Sequence, residues 1–185
     1  KRWYNQPGTP SLACDFKYDR KNKSATLKVT QSLPEKAGRG KPRALHIPIK
    51  TGLVGTDGKD LPLHLDGGSS VADGILHLTK PSQTFKFTDV PEKPVPSVLR
   101  GFSAPVNLTL NLSDDDLEFL IAHDNDSFNR WQAANSYATR TLVAIVNALS
   151  KGKRSTRGRG YVKALAAVLA DKNLEPAFKA ELLKL

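Results

Sequence analysis

The chain contains no methionine and a single cysteine, Cys14, among its 185 residues. One cysteine excludes an intramolecular disulfide and any Cys-x-x-Cys metal pair, and a reducing, cytoplasmic setting is the simpler expectation. Its alternation with Leu12 and Phe16 marks Cys14 as a small buried residue of a strand. No apolar run approaches the roughly 20 residues that a membrane-spanning helix needs. The basic start Lys1-Arg2-Trp3-Tyr4 leads into Asn, Gln, Gly and Pro instead of the apolar stretch of a signal peptide, so no membrane partner is expected. Without an initiator residue, and with a helix-like end Glu181-Leu182-Leu183-Lys184-Leu185 that lacks a Gly, Asn or Pro stop, the chain is expected to be a piece of a longer protein.

Chemistry-bearing constellations are missing too. His46, His64, His77 and His123 form neither an H-E-x-x-H nor an H-x-x-x-H pattern, so no metal residue is assigned. The acids Asp114, Asp115, Asp116 and Glu118 read as the charged first turn of a helix, and no Gly-bearing calcium loop surrounds them. Asp124 and Asp126 read as cap and turn residues, since a general acid/base pair needs an environment that separates the two pKa values. No catalytic and no substrate-binding residue is assigned.

What is present is ordinary for a globular chain, with 39% hydrophobic and 25% charged residues. The formal net charge of +10 raises the question of a polyanion partner. Lys and Arg number 17 against 9 acids over residues 1–111, and 11 against 9 over residues 112–185. The excess is therefore scattered over the first half. The sharpest cluster, Ser150-Lys151-Gly152-Lys153-Arg154-Ser155-Thr156-Arg157-Gly158-Arg159-Gly160, lacks aromatics for base stacking and reads as a solvated loop between helices. A basic module that binds nucleic acid or another polyanion is the alternative function, but nucleic acid is not the expected partner.

From Ser11 to Asn111, strand-like segments recur between turn signals: Leu12–Tyr18, Ala25–Gln31, Leu45–Val54, Leu61–Leu65, Ile75–Thr79, Thr84–Phe87, Val98–Phe102 and Val106–Leu110. Alternation such as Phe85-Lys86-Phe87 puts one face on a core and the other in water. Asp57-Gly58 predicts a tight turn, Asp66-Gly67-Gly68 a loop, and Pro34 to Arg43 a longer loop. Pro91, Pro94 and Pro96 favour an extended edge segment.

At Ser113 the period changes. Ser113 with Asp114 to Asp116 predicts a capped helix start. Leu117, Leu120 and Ile121 mark a first helix. Phe128, Trp131, Ala134, Ala138, Leu142, Ile145 and Leu149 form the inward stripe of a second, stopped near Gly152. Val162, Leu165, Ala166 and Leu169 mark a third, and Pro176 opens a fourth with Phe178, Leu182 and Leu183 inward. The expected fold is an immunoglobulin-like antiparallel β-sandwich over residues 1–111, then an antiparallel α-helical array over residues 112–185, the start of an α-superhelix. Trp3, Phe128 and Trp131 are the expected structural anchors, with Arg130 facing elsewhere.

Four segments carry more: Arg2-Trp3-Tyr4-Asn5-Gln6-Pro7-Gly8-Thr9-Pro10, Leu45-His46-Ile47-Pro48-Ile49, Phe102-Ser103-Ala104-Pro105-Val106 and Phe128-Asn129-Arg130-Trp131-Gln132-Ala133-Ala134. In kind and order they resemble the bacterial aminopeptidase N family of gluzincin zinc metallopeptidases. The resemblance implies a sandwich domain that follows the catalytic domain and the start of the C-terminal helical domain. It also implies a parent hydrolase that uses zinc to remove N-terminal amino acids from peptides, with its catalytic and zinc residues upstream. On this reading the chain is a non-catalytic scaffold, inactive and without zinc by itself. Its partners are the upstream catalytic and downstream helical domains of the same polypeptide, and the parent's substrates are peptides.

Overall fold

A computed structural model describes residues 2–34, 42–67, 71–155, 158–172 and 174–184. Most of the loop expected from Pro34 to Arg43, Gly68, and positions 156 and 157 of the basic loop lie outside the described residues. The chain divides into two compact units, residues 1–111 and 112–185.

The first unit opens with one helical turn, α1 (Arg2–Asn5), followed by β1 (Ser11–Asp19), β2 (Ser24–Ser32), β3 (Ile47–Val54), β4 (His64–Leu65), β5 (Ile75–Leu78), β6 (Ser82–Thr88), β7 (Val95–Val98) and β8 (Asn107–Leu110). One sheet has the order β4-β6-β2-β1-β8 and the other β5-β3-β7. All pairings are antiparallel except β1 with β8, which runs parallel from Ser11↔Asn107 to Cys14↔Leu110. The period-two pattern that marks strands in the sequence also fills the core. Leu12 and Cys14 of β1, Leu27 and Val29 of β2, and Phe85 and Phe87 of β6 face Ile47, Ile49 and Leu53 of β3 and Leu76 and Leu78 of β5. Each such side chain, fully buried, contributes roughly 1.5–3 kcal/mol.

Gln31 of β2 is a buried polar residue that ties down the segments just before β3 and just after β5. Its amide donates to the carbonyls of Leu45 and Lys80, both at 2.9 Å, and its Oε1 accepts from Leu45 N–H at 2.8 Å. Burial without those bonds would be costly. Burial also pushes the Cys14 thiol up to about 12. A thiol reagent at neutral pH is therefore expected to leave Cys14 unmodified in the native chain and to label it only on unfolding. Labelling of the native chain at the unfolded rate would refute the burial.

Two strand expectations are corrected. The strand expected over Leu61–Leu65 is only the two residues of β4. The strand expected over Val98–Phe102 does not form, because Leu99 (φ 63), Gly101 (φ 61) and Phe102 (φ 51) are all left-handed, which turns the chain out of the sheet. The proline-rich stretch ends in β7, and Pro96 sits on this edge strand, where a missing N–H is tolerated.

The second unit holds α2 (Asp114–His123), α3 (Ser127–Leu149), α4 (Arg159–Ala170) and α5 (Pro176–Leu182). Ser113 forms a capping box: its hydroxyl accepts from Asp116 N–H and its own N–H donates to the Asp116 carboxylate, both at 3.1 Å. Asp126 caps α3, and Gly152 (φ 66) follows its end. Here the packing departs from the expected stripes. α3 buries Arg130, Ala133, Ala134, Tyr137, Ala138 and Thr141, whereas Leu142 and Leu149 are exposed. α4 buries Ala164 and Val168, leaving Val162 and Leu169 exposed. Ala133, Ala134 and Ala138 on the covered face of α3 let neighbouring helices approach closely.

Candidate functional site

Two segments singled out in the sequence meet in the first unit. Arg2 Nη1 donates to the Ala44 carbonyl at 2.8 Å, Trp3 Nε1 to the His46 carbonyl at 3.0 Å, and Gln6 Nε2 to the Arg43 carbonyl at 2.8 Å. Arg43 N–H returns a bond to Gln6 Oε1. α1 is thereby fastened along residues 43–46, although Trp3 remains 37% exposed. Beside it, His46 Nε2 and His77 Nδ1 lie 2.9 Å apart, one imidazole donating to the other, with ring centroids 5.1 Å apart. Arg2, Trp3, His46 and Thr79 line an open depression there. Among the described residues no carboxylate lines it to complete a catalytic set with His46 and the Thr79 hydroxyl.

The second cluster is the turn after β7. Arg100 is 8% exposed and folds back over β3. Its Nε donates to Ser97 Oγ at 2.8 Å, and its two terminal nitrogens grip Asp60 at 2.6 and 2.8 Å in a bidentate pair. Ser97 lies opposite Gly52 in the β3–β7 register, and a Cβ on Gly52 would overlap the guanidinium. Glycine is required there for the closeness of approach, because Gly52 has no positive φ. Ser103 closes the far side, accepting from Lys50 N–H at 3.0 Å and donating to the Pro48 carbonyl at 3.2 Å. Left-handed Leu99 and Phe102 are strained, and the surrounding bonds hold them so. No sequence pattern singled out Arg100, Asp60 or Gly52. Gly101 inside a strand-like run is the one local signal of a break.

In the helical unit, Phe128 is 37% exposed and Trp131 half-buried, their rings 5.9 Å apart. Arg130, expected to face elsewhere, is buried in this turn together with Asn129. Its Nε and Nη2 donate to the carbonyls of Ile121 and Ala122 at 2.9 and 3.1 Å, satisfying the last turn of α2. Its guanidinium also lies 5.7 Å from the Phe178 ring centroid, which ties in α5. Burial lowers its pKa, while Asp171 and Asp124 act against that shift.

Farther along α3, Tyr137 Oη donates to Glu118 Oε1 of α2 at 2.7 Å, and its ring stands edge-on to Tyr161 of α4. Burial and then the Glu118 bond push the Tyr137 phenol up to about 12. Gly160 gives the pair its room. The acidic run is engaged in structure: Asp116 in the capping box, Asp114 with Arg140 at 2.9 Å.

The described residues thus assemble two rigid polar locks and a fastened terminus, and no three His, Cys, Asp or Glu side chains converge among them. A family model described as a domain of unknown function, DUF3458, with an Ig-like fold matches residues 8–111. Its companion DUF3458_C, described as ARM repeats, matches residues 114–185. The chain is 36% identical to Aminopeptidase N of Escherichia coli (strain K12) over 185 residues, covering 100% of this chain and 21% of that protein. It is 38% identical to Aminopeptidase N of Caulobacter vibrioides over 183 residues, 99% of this chain and 20% of that one. Among solved structures, aminopeptidase A of Legionella pneumophila in complex with aspartic acid matches with a TM-score of 0.72 and 29% identity, over 96% of this chain and 18% of that chain. The chain spans about a fifth of the length of the curated relatives it matches.

Proposed function

Because this chain belongs to the DUF3458 family of Ig-like domains, continues into ARM-repeat helices and aligns end to end with a fifth of aminopeptidase N, we propose that it is the non-catalytic scaffold portion of a zinc-dependent aminopeptidase. The parent removes N-terminal amino acids from peptides in the cytoplasm. The sandwich positions the catalytic domain, the helices help enclose its cavity, and Trp3, Phe128 and Trp131 serve as structural anchors. The observation that carries this reading is the unbroken similarity of both units, in order, to a minor share of a much longer enzyme.

The zinc does not fit the residues described here. His46 and His77 are bonded to each other on an exposed surface, and no third ligand type converges with them. In this reading the zinc, the peptide substrate and the reacting groups belong to the rest of the polypeptide. The purified chain with added zinc is expected to leave an alanyl chromogenic amide intact, while the full-length parent hydrolyses it. Metal-dependent turnover by the chain alone would overturn this reading. Steep salt-dependent binding of nucleic acid by the chain would favour a polyanion-binding module instead.

A further inference from the structure

The depression beside α1 gathers positive charge and unused hydrogen-bonding atoms on the outer face of the smaller sheet. Alternation puts His46, Pro48 and Lys50 on the outer side of β3 and its approach, and Ile75, His77 and Thr79 on the outer side of β5 and its exit. Pro48 stands opposite His77 in the register, which brings the two imidazoles together across the strands. The bond between them uses one nitrogen of each ring. His46 Nδ1, His77 Nε2 and the Thr79 hydroxyl have no partner among the described residues. Arg2 engages only Nη1, on the Ala44 carbonyl, which leaves the Nε and Nη2 edge of its guanidinium open. That edge is the fork that takes an oxyanion. Trp3, held by its bond to the His46 carbonyl, supplies an apolar wall. The charged residues around the pair are Arg2 of α1, Arg43 before β3, Lys50 of β3 and Lys80 after β5, all cationic; the nearest acid along β5 is Asp73, in the turn that precedes it.

We propose that Arg2, His46, His77 and Thr79 form a binding site for a doubly charged tetrahedral oxyanion, a phosphate or sulfate group, and that its binding draws one proton from solvent onto the histidine pair. In a neutral pair one ring donates to the other and keeps a lone pair on its outer nitrogen, so only the accepting ring offers an outward N–H. One added proton turns that lone pair into a second outward donor while the bond between the rings survives. The imidazolium and Arg2 then match the two charges of the anion. A metal cation is disfavoured by the same groups, because Arg2 repels it and the bond between the rings occupies a lone pair that it needs. The site stands apart from the scaffold reading and does not depend on it.

The test is a titration of the chain with sulfate, which keeps both charges throughout the range in which imidazole titrates, at an ionic strength held constant with chloride. It is followed by the imidazole C–H proton signals, which four histidines make few enough to assign through His46→Gln and His77→Gln. Sulfate is expected to move the His46 and His77 signals saturably and to leave those of His64 and His123 in place. Binding should be about tenfold tighter at pH 5.5 than at pH 8, since the bound state holds the extra proton. Arg2→Gln and His77→Gln should each weaken it about tenfold or more, and Arg2→Lys should restore little, because an ammonium lacks the fork. Circular dichroism checks that each variant is folded, and either one alone suffices. Tighter binding of phenyl phosphate than of inorganic phosphate assigns the site to phosphomonoesters that lie against Trp3, whereas equal binding assigns it to the free anion. Non-saturable shifts shared by all four histidines, affinity that ignores pH, or full affinity in the folded variants would overturn the proposal.

Discussion

Replacing Gly52 by alanine is expected to destabilise the β unit about as much as removing Arg100, by roughly 3 kcal/mol. The new methyl would occupy the place of the Arg100 guanidinium. That group cannot shift, because Asp60 and Ser97 hold all three of its donor nitrogens. Displacing it strands a buried charge, and the loss sits near the low end for a broken buried pair because the Asp60 side chain is 37% exposed and keeps some water. Thermal unfolding of Gly52→Ala and Arg100→Ala should shift down by roughly 10 °C each, and the double variant should be little worse than either single one, since both remove the same interaction. Arg100→Lys should rescue poorly, because an ammonium cannot span both carboxylate oxygens and Ser97. Additive losses in the double variant would show that Gly52 matters for some reason other than room for the guanidinium.

In the helical unit the same kind of substitution has a smaller expected effect, for a reason the geometry supplies. A Cβ on Gly160 would overlap the Glu118 carboxylate and come within 2.6 Å of Tyr137 Oη. Glu118 is the end of a flexible side chain and can swing aside, but the buried phenol then loses its acceptor. Loss of a hydrogen bond to a charged group costs about 1.5–3 kcal/mol. Alanine in place of glycine in a helix returns up to about 1 kcal/mol. A net destabilisation of about 1–2 kcal/mol is expected for Gly160→Ala, read from denaturant midpoints. The pH dependence checks the assignment. An unfolded tyrosine ionises near 10, whereas burial and the Glu118 bond hold the folded Tyr137 phenol neutral to about 12. The folded state therefore binds the extra proton between those values. Its contribution to stability is complete below pH 10 and declines as the pH rises toward 12. Tyr137→Phe should flatten that part of the stability curve. An unchanged slope would remove Tyr137 from the account.

Most strands were legible because alternation is a local signal: Leu12 and Cys14, Leu27 and Val29, Phe85 and Phe87 need only a core on one side to behave as their spacing predicts. Helix starts were legible for a related reason. Ser113, Asp126 and Pro176 act on backbone groups within the same turn. The break at Leu99 was not, because its left-handed residues are held in place by Asp60, Gly52 and Pro48, which lie far away in sequence and nearer only once β3 and β7 are paired. The stripes of α3 and α4 were legible as apolar, but their direction only in part: Ala134 and Ala138 are buried as expected, whereas Leu142, Leu149, Val162 and Leu169 are exposed.

The sequence by itself determined that strands precede helices, where α2, α3 and α5 begin, which residues are apolar enough to need covering, and which family the chain resembles. All of these depend on side-chain chemistry and on neighbours within a few positions. Tertiary structure alone decided that Arg100 locks a strained turn, that Arg130 rather than an aromatic closes the end of α2, and which face of α3 is covered from within. Those outcomes depend on which distant groups come within hydrogen-bond reach and on how closely small residues let helices approach, and neither distance is written in the order of the residues.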